Sequence, residues 1–194
     1  MFVLAMFTSC KKDEVTVKDP VKSETVKDLA ADPTTISGTG QPVASGKFTL
    51  YNFKNGVVPT TDSTTNKWDI AFRGTTILTN GGSSGIGLGG AVILNGIFDE
   101  VKEVPASATF AQDTKTVLAI PTGSGKGWYS YDASTNIISP IAGKVLLIKT
   151  SDGKYAKMEI LSYYKGSLTK PDANSQARFY TFRFVYQSNG TLTF

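Results

Sequence analysis

The sequence predicts an all-β protein, an antiparallel sandwich or open barrel, from three features of the stretch beyond Lys47. Apolar residues alternate with polar ones or fall in short runs, no ten-residue stretch carries helical periodicity, and turn signals separate the runs. In chain order, Phe48 to Phe53 is the first strand and Asn55-Gly56 turns it. Lys67 to Phe72 follows, with Trp68, Ile70 and Phe72 expected to share its core face. Asn80-Gly81-Gly82 ends that region, and the β-branched run Ala91 to Leu94 begins the next strand. Lys144 to Thr150 and Lys154 to Tyr163 flank Asp152-Gly153, which predicts a hairpin. In the second arm Met158 shares a face with Ala156 and Ile160 and is assigned to the core. The last strand, Arg178 to Tyr186, puts Tyr180, Phe182, Phe184 and Tyr186 on one face, which should point inward.

Composition removes whole classes of function. The chain has 194 residues, one Cys and no His. Without His there is no Ser-His-Asp or Cys-His triad, no His-bearing zinc site and no histidine pH switch. A single Cys forms no internal disulfide, but a domain of about 150 residues buries about 70% of its unfolded surface and folds without one. The net charge of +4 comes from scattered Lys, not from a dense stripe, so no nucleic acid is expected as a partner. No nucleophile and base pair is recognisable, and a non-enzymatic protein is expected.

The N-terminus divides the chain into residues 1–10, 11–46 and 47–194. Met1 to Ser9 is apolar, too short to span a bilayer, and stops at Cys10 before Lys11-Lys12-Asp13-Glu14. Small residues ahead of a Cys, here Phe7-Thr8-Ser9-Cys10, resemble a bacterial lipobox, in which Cys10 is lipidated and becomes the first residue. The alternative is a buried strand with a core cysteine. The basic segment that precedes the apolar part of a signal peptide is missing, which places the start codon upstream of Met1. Residues 11–46 are rich in Lys, Asp, Glu, Thr and Pro and nearly free of aromatics. They predict a flexible tether with a coil dimension of roughly 30–35 Å, or at most an extra strand docked at Thr34 to Ile36.

Two glycine motifs fail on context. Gly85, Gly87 and Gly90 fit G-x-G-x-x-G, but Val92-Ile93-Leu94 beyond them is strand sequence and not the helix whose N-terminus holds a pyrophosphate. Gly123 to Gly127 has the flavour of a P-loop, yet Ile120 stands where the first Gly is required and Gly127 where magnesium needs Ser or Thr. Asp62, Asp69, Asp99 and Glu100 are expected to be solvated turn carboxylates.

Trp68-Asp69-Ile70-Ala71-Phe72-Arg73, followed by Asn80-Gly81-Gly82 and Gly89-Gly90-Ala91-Val92, resembles the signature of the HmuY family of Bacteroidota lipoproteins. Gly127-Trp128-Tyr129, the Asp152-Gly153 hairpin and the final aromatic strand extend the resemblance over about residues 47–190. It implies an all-β HmuY-type fold and a lipoprotein anchored at Cys10 to the outer membrane or cell surface, facing periplasm or exterior. It also implies heme as cofactor, an outer-membrane receptor as partner, and a role in iron acquisition. Family heme binders hold iron with two axial His or Met side chains on loops either side of the Gly-Trp segment. Here no His exists, and Met158 is the one Met outside the leader. The stretch from Pro105 to Lys126 is also shorter than the ligand-bearing loop.

Bis-His and bis-Met ligation are thereby excluded. Tyr129 or Tyr131 is the remaining iron partner, with Trp128 a neighbouring ligand contact, and an apolar pocket could hold a porphyrin without axial bonds. The alternative is a non-enzymatic β module for another apolar or glycan ligand, or for a membrane partner protein.

Overall fold

The computed structural model describes residues 21–38 and 40–194. Its strands are β1 (Lys22–Ala30), β2 (Thr35–Ile36), β3 (Pro42–Val43), β4 (Thr49–Asn52), β5 (Gly56–Val58), β6 (Ile70–Arg73) and β7 (Thr76–Thr79). They continue with β8 (Gly90–Asn95), β9 (Tyr129–Asp132), β10 (Ile137–Pro140), β11 (Lys144–Lys149), β12 (Tyr155–Tyr164) and β13 (Ala177–Gln187). A five-stranded sheet in the order β1-β13-β12-β11-β8 faces a four-stranded sheet in the order β5-β4-β6-β7, and every pairing is antiparallel. Two ribbons, β9–β10 and β2–β3, stand outside these sheets.

The core is the predicted aromatic face of β13 pressed on the small sheet. Tyr180, Phe182, Phe184 and Tyr186 are buried, and their rings meet those of Tyr51, Phe53 and Phe72. The pairs are edge-on, tilted or stacked at centroid distances such as 4.8 Å for Phe72–Tyr180 and 5.5 Å for Tyr51–Phe182, the range aromatic pairs favour. Met158, Ala156 and Ile160 lie in the same core. The β11–β12 hairpin turns at Thr150–Lys154 as its Asp-Gly pair predicts, with Gly153 at φ 85°.

Trp68 is buried, but on the other side of the small sheet. It joins Leu50, Val58 and Ala71 in a second cluster, while Ile70 and Phe72 face the main core. The expectation that the three share a face assumed a strand running through Asp69, whereas β6 starts only at Ile70. The Trp68 indole donates to the carbonyl of Ser63 at 3.0 Å.

The tether expected over 11–46 is also corrected. β1 begins at Lys22 and pairs with β13 from Lys22↔Tyr186 to Ala30↔Phe179. The segment looked unable to fold because only Val26 and Leu29 are its large apolar residues on the sheet. An edge strand needs no more, since backbone pairing holds it and its charges discourage further strand addition. A register break between Val26 and Leu29 puts Asp28 at φ 54°, and its carboxylate accepts from the Gly166 amide at 2.7 Å. Asp32 then fastens the excursion through β2 and β3, accepting from the Ser45 amide and hydroxyl and the Gly46 amide. The leader, Cys10 and the start of the expected tether lie outside the described residues.

Candidate functional site

Two places carry the residues singled out by sequence. The first is the Trp68-Asp69 segment with its glycine-rich partner. Asp69 is not a solvated turn residue. It is buried, and its carboxylate accepts from the Phe53 amide at 2.9 Å and from the Ser151 amide and hydroxyl at 3.0 Å each. Burial raises its pKa above the ordinary carboxylate value, with these donors pulling the other way. Strand pairing needs no acid at this position; the acid ties the end of β4 to the β11–β12 turn.

Asn80, which sequence reasoning passed over as a turn residue, is the centre of this region. Fully buried, it donates to the carbonyls of Thr65 and Trp68 at 2.9 and 2.7 Å and accepts from the Gly87 amide at 3.1 Å. The glycines are spacing, not flexibility. A Cβ on Gly81 would stand 2.0 Å from the Gly89 carbonyl oxygen, and one on Gly85 would stand 2.0 Å from the Asn80 amide oxygen. Asp113 extends the same scheme, accepting from the Thr79 and Ala119 amides at 2.9 and 2.8 Å. The Thr79 hydroxyl is buried without a partner among the described residues. The clustering of glycines around one Asn was the available signal for this arrangement.

The second place is the β9–β10 ribbon. Its turn is closed by Asp132, which accepts from the Ser134 amide, the Ser134 hydroxyl and the Thr135 hydroxyl; these bonds hold its pKa below the ordinary value. The ribbon is fixed to the body by the Ile138 amide, which donates to the Tyr164 hydroxyl, and the Ile141 amide, which donates to the Trp128 carbonyl. Cross-strand pairing puts Tyr131 beside Ile138 and Tyr129 beside Pro140.

The sequence candidates separate along this ribbon. Trp128 lies in the core, donating to the Thr75 carbonyl at 3.0 Å and packing on Tyr163 and Tyr180. Tyr129 is buried, and its hydroxyl accepts from the Gly123 amide at 3.2 Å. Tyr131 is 44% exposed, and its hydroxyl donates to the Asn136 amide oxygen at 2.6 Å. Met158 is wholly interior, so its thioether meets no ligand. Burial pushes the Tyr163 phenol up to about 12 and that of Tyr180 well above its ordinary value, so both stay protonated at neutral pH. On the Asp132 face, the ribbon and the segment 170–173 bound an open groove of about 510 Å³ with Ile137 and Pro171 in its walls. Among the described residues no cluster of His, Cys, Asp and Glu could hold a metal ion, and no helix is long and apolar enough to cross a membrane.

The family model for the HmuY protein matches residues 44–180. The chain belongs to the HmuY family. A solved HmuY analog shares its fold. The apo HmuY analog from Tannerella forsythia has 17% sequence identity and a TM-score of 0.50, over 88% of this chain and 98% of that one. Apo PinO from Porphyromonas gingivitis has 16% identity and a TM-score of 0.49, over 88% of this chain and 99% of its own. No curated protein matches the chain. The family is one of heme-binding-type lipoproteins, and its members are binding proteins.

Proposed function

We propose that this protein is a non-enzymatic surface lipoprotein, anchored through Cys10 at the outer membrane, that binds heme or another porphyrin and serves iron acquisition with an outer-membrane receptor. Family membership supports the ligand class, and the observation that carries the reading is Tyr131. It is the exposed phenol of the ribbon, paired across the strands with the apolar Ile138 and bonded to Asn136, both of which line an open groove. A phenolate is an established haem ligand, and a planar macrocycle laid on apolar groups needs no enclosed cavity to gain burial. Trp128 and Tyr129 stiffen the platform beneath it through their ring contact at 5.0 Å.

A hemin titration of the full chain, followed in the Soret region, tests this. The expected result is micromolar or weaker binding with a high-spin, tyrosinate-type spectrum that Tyr131→Phe abolishes and Tyr129→Phe leaves in place. A six-coordinate low-spin spectrum with nanomolar affinity would overturn the single-tyrosine scheme. No spectral change would hand the scaffold to another apolar or glycan ligand. For the anchor, Cys10→Ser is expected to release the protein from membranes of its host, and retained attachment counts against lipidation.

A further inference from the structure

A second groove, of about 580 Å³, lies where the small sheet, the start of β13 and the ribbon meet. Arg73 at the end of β6 and Arg178 at the start of β13 both line it. Each guanidinium is positioned by a neutral acceptor. Arg73 donates to the Gly46 carbonyl at 2.9 Å and stacks 4.2 Å from the Phe48 ring centre, while Arg178 donates to the Asp32 carbonyl at 2.9 Å. Among the described residues neither is ion-paired to a carboxylate. The acid in the wall, Asp32, accepts from the Ser45 amide and hydroxyl and the Gly46 amide, and those bonds together with the nearby Arg178 charge hold its carboxyl below the ordinary value; Arg178 also bonds the Tyr163 hydroxyl. Arg178 is held at φ 67°, a backbone region an arginine occupies only when its surroundings impose it.

The result is two oriented cations in one concavity that holds a single carboxylate, Asp32 beside Arg178, so that the groove carries a net positive charge among its described residues, with Thr75, Thr76 and Asn136 beside them. Guanidinium donors in a fixed fork suit planar oxyanions, carboxylates above all. The apolar wall is Ile138, the cross-strand neighbour of Tyr131. A flat ligand resting on the Tyr131 and Ile138 face could therefore extend acidic side arms to the arginines.

We propose that the Arg73–Arg178 groove is a carboxylate-anchoring subsite that holds the acidic side arms of the porphyrin, an inference that rests on the porphyrin reading of the ribbon. It makes the acid groups, and not the metal, the main determinant of ligand choice, in keeping with a ribbon whose exposed phenol is that of Tyr131.

The test uses the full chain with metal-free protoporphyrin IX and its dimethyl ester, binding being followed by quenching of Trp fluorescence. The diacid is expected to bind about tenfold or more tighter than the ester, because charge-assisted hydrogen bonds are lost on esterification. Arg178→Gln and Arg73→Gln should each shrink that ratio towards one. Arg73 lies exposed at a strand end, so its variant keeps the test open if Arg178→Gln fails to fold. A titration with glutarate, read from the arginine side-chain Nε–H signals in NMR spectra, isolates the groove from the ribbon. If neither porphyrin binds but glutarate shifts the Arg73 and Arg178 signals, the groove stands as a carboxylate site and the porphyrin reading falls. If diacid and ester bind alike, or if glutarate moves neither signal, the subsite is wrong whatever the ribbon binds.

Discussion

Around Asp69 and Asn80 polar atoms are buried and paired, Ser151 meeting Asp69 from 82 residues away on the far sheet and Gly87 meeting Asn80 from the glycine-rich loop. On the β9–β10 ribbon the side-chain bonds at the tip are local, Asp132 closing its own turn and the Tyr131 hydroxyl reaching Asn136. The first region joins both sheets, and the second hangs from them by a few contacts. A family signature of the first kind identifies architecture. What the protein binds is decided in regions of the second kind, where side chains can change without loss of the fold.

The difference can be broken, and the hardest blow falls on Asp69. Asp69→Ala would leave the Phe53 and Ser151 amides buried without an acceptor, the Ser151 hydroxyl keeping the Asn66 carbonyl at 2.7 Å, which should destabilise the fold by about 5 kcal/mol in urea unfolding. Its titration has a sign of its own. Because burial raises the folded pKa above the unfolded value of 3.8, the folded state takes up this proton first as pH falls. The contribution is fully present below the unfolded value and lost as pH rises through the folded one. Wild type should therefore lose stability relative to Asp69→Asn between acid and neutral pH, and a gain over that interval would contradict the assignment.

Trp68→Ala comes next, at about 3–5 kcal/mol, since the second cluster would be left with a cavity. A loss below about 1 kcal/mol would mean that this outer cluster contributes little. Gly81→Ala should cost about 2–3 kcal/mol, the added methyl meeting the Gly89 carbonyl; a neutral result would show that the glycine-rich loop can shift. On the ribbon, Tyr129→Phe should lose about 1 kcal/mol with its bond from the Gly123 amide. Tyr131→Phe should stay within about 0.5 kcal/mol while altering the heme spectrum, and a larger destabilisation would tie the ribbon to the body's stability.

The β13 aromatic face and the Asp152-Gly153 hairpin were legible in sequence because each is set by local pattern: period-two alternation in one case, turn chemistry in the other. Asp69 was not, since an acid flanked by strand residues looks solvated until the chain brings three donors to it from positions 53 and 151. The glycines were visible, but their reason lay in Asn80, a contact no spacing rule encodes. β1 was missed because an edge strand held by its backbone has too few apolar residues to register. At the ribbon, sequence narrowed the choice to Tyr129 and Tyr131, and their burial separates the two.

β1 connects the N-terminal end of the described domain to its arginine groove. Lys22, at the strand's first residue, is fixed by its ammonium group to the Phe53 and Lys54 carbonyls, while Ala30 at the other end lies beside Phe179, next to Arg178. Eight residue steps at about 3.3 Å put these poles roughly 26 Å apart. The proposed anchor at Cys10 would join the described domain at the Lys22 pole, the end of β1 away from Arg178.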